Sequence, residues 1–274
     1  MPVANSGNAR ILMNYATVLA RERDAEIMVL TMVTVPDQTP LSGAEQFVSE
    51  GEEAISKAME EAPADIPVHS TIRYGHDVAR GIVSAVKEHD TDLLIMGCGS
   101  ELDERGCTLG RKVDPVIEKS LCDSMVIKPG IVEGLKENAR ILCPIARGPH
   151  SLEVVKIACT LVKPYDGEVT LYHLLEGEET EEEVERYLES LSPDSAPSLS
   201  TDIQKLEGGD VSESIVREAE SYDVVVMGAE EEGWFESLIF GTIPEKVVKK
   251  SDKTVILVKK FQGVKSWFGR WLGT

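Results

Sequence analysis

The sequence has no apolar run approaching the roughly 18 residues that cross a bilayer. It has no CxxC pair and no excess of positive charge. Across 274 residues, 28 Lys and Arg stand against 48 Asp and Glu, a formal net charge of −20. A surface of that sign repels nucleic acid and anionic membrane, which argues against a nucleic-acid partner. The five cysteines, Cys98, Cys107, Cys122, Cys143 and Cys159, are odd in number. With no secretory signal pattern, they are expected as reduced cytosolic thiols. Also absent are a Gly-x-Ser-x-Gly elbow, a Gly-x4-Gly-Lys-Ser/Thr loop and His-Glu-x2-His. Nothing assembles a nucleophile, a base and an oxyanion site, so no catalytic residue and no metal site is expected.

One pattern is present twice. Asp92-Leu-Leu-Ile-Met-Gly97 is a short apolar strand ending at a glycine, followed by a polar loop and Leu109-Gly110 at a helix start. Glycines at a strand end and a helix start let backbone N–H groups converge on an anion, aided by the positive end of the helix. The pattern returns as Asp223 to Gly228, followed by Phe240-Gly-Thr-Ile-Pro244. Pro2 aligns with Pro144 and Glu26 with Glu168 at one constant offset. Asp92, Gly97, Gly110 and Lys128 align with Asp223, Gly228, Gly241 and Lys259 at another. The chain is a tandem duplication.

Helical patterns alternate with strands in each copy. Ile11, Leu12, Tyr15, Ala16 and Leu19 share one helix face, Glu26–Val33 reads as a strand buried on both sides, and Val68–Arg73 as a more exposed one. Continuously apolar strands separated by helices predict parallel α/β architecture. The expectation is two tandem open parallel five-stranded sheets with helices on both faces. Their domains span 1–130 and 139–260, joined by a linker at 131–138. The glycine-bounded loop then lies at a carboxyl edge, where open α/β sheets bind ligands. The first copy has only Met1-Pro-Val-Ala4 where the second has Ala139–Ala146. Either its first strand is short or the chain was cut from a longer polypeptide. Residues 261–274 form an amphipathic helix with Val264, Trp267, Phe268, Trp271 and Leu272 on one stripe. It is expected to dock on its own domain or a second subunit, as in a homodimer, with a membrane-surface anchor as the sharper reading.

These residues carry a family resemblance. Asp92–Gly97, Leu109-Gly110 and Val116-Ile-Glu-Lys-Ser-Leu-Cys-Asp-Ser-Met-Val-Ile-Lys128 resemble the second half of a universal stress protein domain. Val224–Gly228 with Phe240–Lys259 is similar to the same region, so the resemblance covers nearly the whole chain. It implies the adenine-nucleotide alpha-hydrolase-like fold and a pseudo-dimer of the two copies through their last strands. Gly-Thr-Ile-Pro-Glu-Lys also resembles universal stress domains fused behind prokaryotic amino-acid permeases and antiporters, which implies a membrane transporter domain upstream.

Many members of that family bind ATP through Gly-x2-Gly-x9-Gly-Ser/Thr. In the first copy Gly97 and Gly110 match, while Ser100 and Arg111 replace the second glycine and the hydroxyl, and Gly99 sits one place early. In the second copy Gly228, Gly241 and Thr242 match, while Glu231 replaces the second glycine. The family's adenosine aspartate falls at Ala4 and Ala146. The candidate site for ATP or AMP in the first copy is therefore Val3, Ala4, Met96, Gly97, Gly99, Ser100, Gly110, Arg111 and Lys112. Arg111 and Lys112 would stand in for the lost hydroxyl. The weaker second-copy equivalent is Arg147, Met227, Gly228, Gly241 and Thr242. There Glu230–Glu232 would face a triphosphate, at about 4 kcal/mol per like-charge pair a few Å apart.

Cys98 and Cys107 flank the first loop. A redox pair or a metal site with His76 or His69 is the sharp reading; free, partly exposed thiols are the expected one. The acidic run Glu176–Glu183 is expected as a solvated loop and helix start. The resulting expectation is a cytoplasmic, non-catalytic stress-response sensor or regulatory domain. It binds an adenine nucleotide in its first copy and serves as the regulatory tail of a transporter. The alternatives are a weak ATPase and a structural or oligomerisation module with empty sites.

Overall fold

A computed structural model describes residues 1–36, 49–98, 113–131, 134–148, 150–193, 198–206, 209–229 and 240–261. The chain divides into two units: Met1–Ile127 with a segment starting at Lys260, and Lys128–Lys259.

In the first unit the described elements run α1 (Ser6–Arg23), β1 (Ile27–Thr34), α2 (Ser49–Glu60), β2 (Val68–Gly75), α3 (Val78–Glu88), β3 (Leu93–Gly97), α4 (Asp114–Lys119) and β4 (Asp123–Lys128). Asn5 caps α1 by accepting from the Asn8 N–H, and Asp77 caps α3 by accepting from Arg80 N–H. Both side-chain oxygens satisfy amides that have no partner inside the helix. Ile11, Leu12, Tyr15, Ala16 and Leu19 are all buried, as their spacing predicts. β1 pairs with β2, and β3 with β4, all in parallel.

The second unit follows with β5 (Arg140–Pro144), α5 (Ser151–Val162), β6 (Glu168–Leu175), α6 (Glu181–Ser190), β7 (Ser198–Lys205), α7 (Val211–Ala219), β8 (Val224–Gly228), α8 (Thr242–Lys250) and β9 (Thr254–Lys259). A 3-10 turn at Lys163–Tyr165 follows α5. Its strands form a parallel sheet in the order β9-β8-β5-β6-β7. Ile141, Leu142 and Cys143 on central β5 are fully buried, as are Val225, Val226, Ile256 and Leu257. Burial on both faces is why these strands read as continuous apolar runs.

The parallel α/β architecture is as the sequence predicts, and the five-stranded count holds in the second unit. Among the described residues of the first, β1 and β2 form a two-stranded sheet of their own instead of joining β3 and β4 in one five-stranded sheet, and Pro2, bridged to Leu30, stands where β5 stands in the second copy. Pro2 lies three residues before the Asn5 cap of α1. The duplication persists in individual hydrogen bonds. Val3 N–H donates to Leu30 O as Ile145 N–H does to Tyr172 O, and Cys98 N–H donates to Ile127 O as Ala229 N–H does to Val258 O. The expected helix from about Lys112 to Leu121 is shorter, Asp114–Lys119, with Pro115 in its first turn.

Candidate functional site

The first-copy candidates divide by position. Gly99, Ser100, Gly110, Arg111 and Lys112 lie outside the described residues, as do Cys107 and all but Phe261 of the stretch 261–274 expected as a helix. Val3 is buried in the sheet, its N–H bonded to Leu30 O and its carbonyl accepting from Thr31 Oγ1 at 2.9 Å. Ala4 is exposed and Met96 buried. Gly97 ends β3 beneath α1: a Cβ there would lie 3.3 Å from Asn8 Nδ2 and 3.5 Å from Leu12 Cδ1.

The second copy has a described cavity of about 370 Å3 at the carboxyl ends of β5, β6 and β8. It is closed by the start of α5, the β6–α6 connection and Ile243 and Pro244 of α8. Parallel strands ending at one edge create the recess. Arg147, Met227 and Gly228 are brought together in its wall, whereas Gly241 and Thr242 stand just before the two α8 residues that line it. Gly241 adopts φ 95° and ψ 170° as the turn into α8, a conformation that favours glycine.

The charged part of the wall was not legible as a site in the sequence. His173 on β6 is buried, with Nδ1 2.7 Å from Ile145 O and Nε2 3.1 Å from Glu179 Oε2. The same Oε2 accepts from Glu176 N–H at 3.0 Å, and Arg147 Nε lies 3.3 Å from Oε1. The Arg147 guanidinium also sits 5.8 Å from the Tyr187 ring centre. The Glu176 N–H, followed by His173 and Arg147, holds the Glu179 carboxyl below its ordinary range. Glu179 belongs to the run expected as a solvated loop; its neighbours do begin α6 behind the Thr180 cap, but its own carboxylate turns inward. The signal was a histidine, His173, inside the buried run Val169–Leu174 of β6. Tyr172 also lines the cavity; burial, with Glu218 and Asp202 nearby, pushes its hydroxyl up to about 12, so it stays a neutral donor to Gln204 Oε1.

The thiols differ from expectation at one position. Cys98 is buried and disulfide-bonded rather than free and partly exposed. Its N–H extends the β3–β4 ladder past Gly97, which carries the residue into the interior. Cys122, Cys143 and Cys159 are free and buried. Among the described residues no group of three or more His, Cys, Asp or Glu converges as a metal site, and no described helix is long and apolar enough to cross a membrane.

Comparison with known proteins agrees with this fold. The chain is 22% identical over 263 residues to the Na(+)/H(+) antiporter NhaS5 of Synechocystis sp. (strain ATCC 27184 / PCC 6803 / Kazusa). That alignment covers 94% of this chain and 37% of the antiporter, so the chain spans well under half the length of that relative. A universal stress protein from Archaeoglobus fulgidus DSM 4304 superposes with a TM-score of 0.66 at 15% identity, covering 92% of each chain. The cytoplasmic domain of a prokaryotic cation chloride cotransporter superposes with a TM-score of 0.57 at 10% identity, covering 94% of this chain and 93% of that one. Residues 1–128 and 137–259 each match the universal stress protein family, and the chain is therefore a tandem member of that family.

Proposed function

We propose that the chain is a non-catalytic regulatory module of a membrane cation transporter, working on the cytoplasmic side, with an adenine nucleotide as its effector. The observation that carries this reading is the cavity at the carboxyl edge of the second unit, bordered by Arg147 and Gly228. Its volume of about 370 Å3 lies near the lower end for small-molecule sites and suits one nucleoside with one phosphate better than a triphosphate. The transporter part of the reading is supported by the relatives: a cation/proton antiporter and a cotransporter's cytoplasmic domain both align along more than nine-tenths of this chain. A regulatory domain acts by binding its effector unequally in two states, and catalysis is not required for that. In the first copy, Gly97 and Gly110 hold the matching positions in the sequence.

Thermal denaturation with AMP, ATP and adenosine tests the effector. At ligand one hundredfold above the dissociation constant, stabilisation of about 2.7 kcal/mol is expected. No shift at millimolar concentrations of all three overturns the nucleotide reading. Phosphate release from ATP above the buffer blank overturns the non-catalytic one.

A further inference from the structure

Three donors converge on one carboxylate of the chain itself: Arg147 Nε at 3.3 Å, His173 Nε2 at 3.1 Å and Glu176 N–H at 3.0 Å. All four residues line the same cavity. Two charged or chargeable side chains and a backbone amide around one anionic group is the donor set that binds a phosphate or carboxylate ligand. The donors are held independently of Glu179. His173 sits in β6 and is fixed by its Nδ1 contact with Ile145 O, which leaves Nε2 aimed at the cavity. Arg147 follows β5 and keeps its contact with the Tyr187 ring. Glu179, by contrast, is on the short connection before α6 and is partly exposed, so it can leave by side-chain rotation.

We propose that this is a self-occupied anion subsite: Glu179 fills the position of a ligand's phosphate or carboxylate group, and an anionic ligand binds there by displacing it. The subsite is built from the β5–α5 and β6–α6 connections and shares Arg147 with the nucleotide reading. It uses the same cavity as that reading but does not require adenine.

His173 adds a constraint. Its two ring nitrogens face two acceptors, Ile145 O and Glu179 Oε2, and a neutral imidazole has only one N–H to give. The occupied subsite therefore has an acceptor at each ring nitrogen, with Glu179 and Arg147 packed beside the ring. An incoming phosphate keeps that second acceptor in place, whereas an empty subsite does not.

The test uses inorganic phosphate as the probe, with Glu179→Gln and the double variant Glu179→Gln/Arg147→Gln. The amide keeps an oxygen for the Glu176 N–H but removes the competing negative charge. Affinity for phosphate, read by calorimetry and by thermal stabilisation, is expected to tighten about tenfold or more in Glu179→Gln, a change of about 1.4 kcal/mol. The gain is expected to vanish in the double variant. Adenosine, which carries no anion, should bind both single variant and parent alike. Unchanged phosphate affinity in folded Glu179→Gln, or a gain that survives loss of Arg147, overturns the proposal. If AMP and adenosine fail with every form while phosphate follows the expected pattern, the nucleotide reading falls and the self-occupied subsite stands. If Glu179→Gln does not fold, Arg147→Gln in the parent decides. The absence of any shift in the His173 ring resonances when phosphate reaches tens of millimolar in the parent, with the same absence in Arg147→Gln, overturns it; a shift confined to the parent supports it.

Discussion

His150 on the way into α5 packs closely over Gly228 at the end of β8, leaving little space for a side chain between them. A Cβ on Gly228 would lie 3.2 Å from His150 Cβ and 3.3 Å from Val154 Cγ2, both tighter than ordinary contact. The glycine at the end of β8 is therefore favoured by helix-on-strand packing, with or without a ligand. Gly228→Ala is expected to destabilise the chain by about 1–3 kcal/mol, measured by urea unfolding, because the atoms it meets belong to a buried helix. Gly97→Ala should cost less, since the nearest atom is the tip of the Asn8 amide, which can turn away. Gly148→Ala, with nothing within 4 Å, serves as the near-neutral control. Equal losses at Gly228 and Gly148 would refute the packing argument.

Gly241 is constrained by backbone conformation instead. At φ 95° and ψ 170° it occupies a region that side chains strain to enter. Gly241→Ala is expected to cost about 1–3 kcal/mol in the same assay. Asn, which relieves left-handed helical positions at ψ near 45°, should give no rescue here because ψ is far from that well. A Gly241→Asn variant as stable as the parent would contradict this assignment.

Most of the fold was legible because it rests on periodicity and repetition. The stripe from Ile11 to Leu19 and the paired glycines each have a local physical cause that the sequence reveals. The candidate site was legible only in outline. Arg147, Met227 and Gly228 follow from the repeat alignment, but His173 and Glu179 meet only because β6 and the connection after it fold back over one strand end. A glutamate among six looks the same in sequence whether it faces water or a buried imidazole. The tertiary contact decides, and charge patterning carries no trace of it.

Acid stability gives a prediction for Asp210. Lys246 bonds to one carboxylate oxygen and the Ser212 N–H to the other, which together lower the Asp210 carboxyl from 3.8 to about 2. A depressed carboxylate contributes stability that is fully present above its unfolded value and is lost as pH falls through the folded one. The stability difference between parent and Asp210→Asn is therefore expected to be constant above about pH 5 and to shrink between about pH 4 and pH 2. Lys246→Met should flatten most of that dependence. A difference that persists unchanged at pH 2 would assign the effect to something other than this ionisation.

The three free thiols give the opposite sign. Burial pushes Cys122 up to about 12 and Cys159 to about 11 from 9.0, and holds Cys143 well above its ordinary value. A thiolate in the interior lacks solvation, so the folded chain keeps these protons after an unfolded one would release them. Their contribution to stability is thus fully present below about pH 9 and declines as pH rises above it. The same burial predicts their chemistry. In a Cys98→Ser/Cys107→Ser background, Cys122, Cys143 and Cys159 are expected to resist a thiol reagent at pH 8 and to become reactive together as denaturant unfolds the protein. Reaction rates should follow the population of unfolded chain rather than the thiolate fraction of the native one. Immediate labelling of any of the three in the native protein would place that residue at an accessible surface and contradict its buried position.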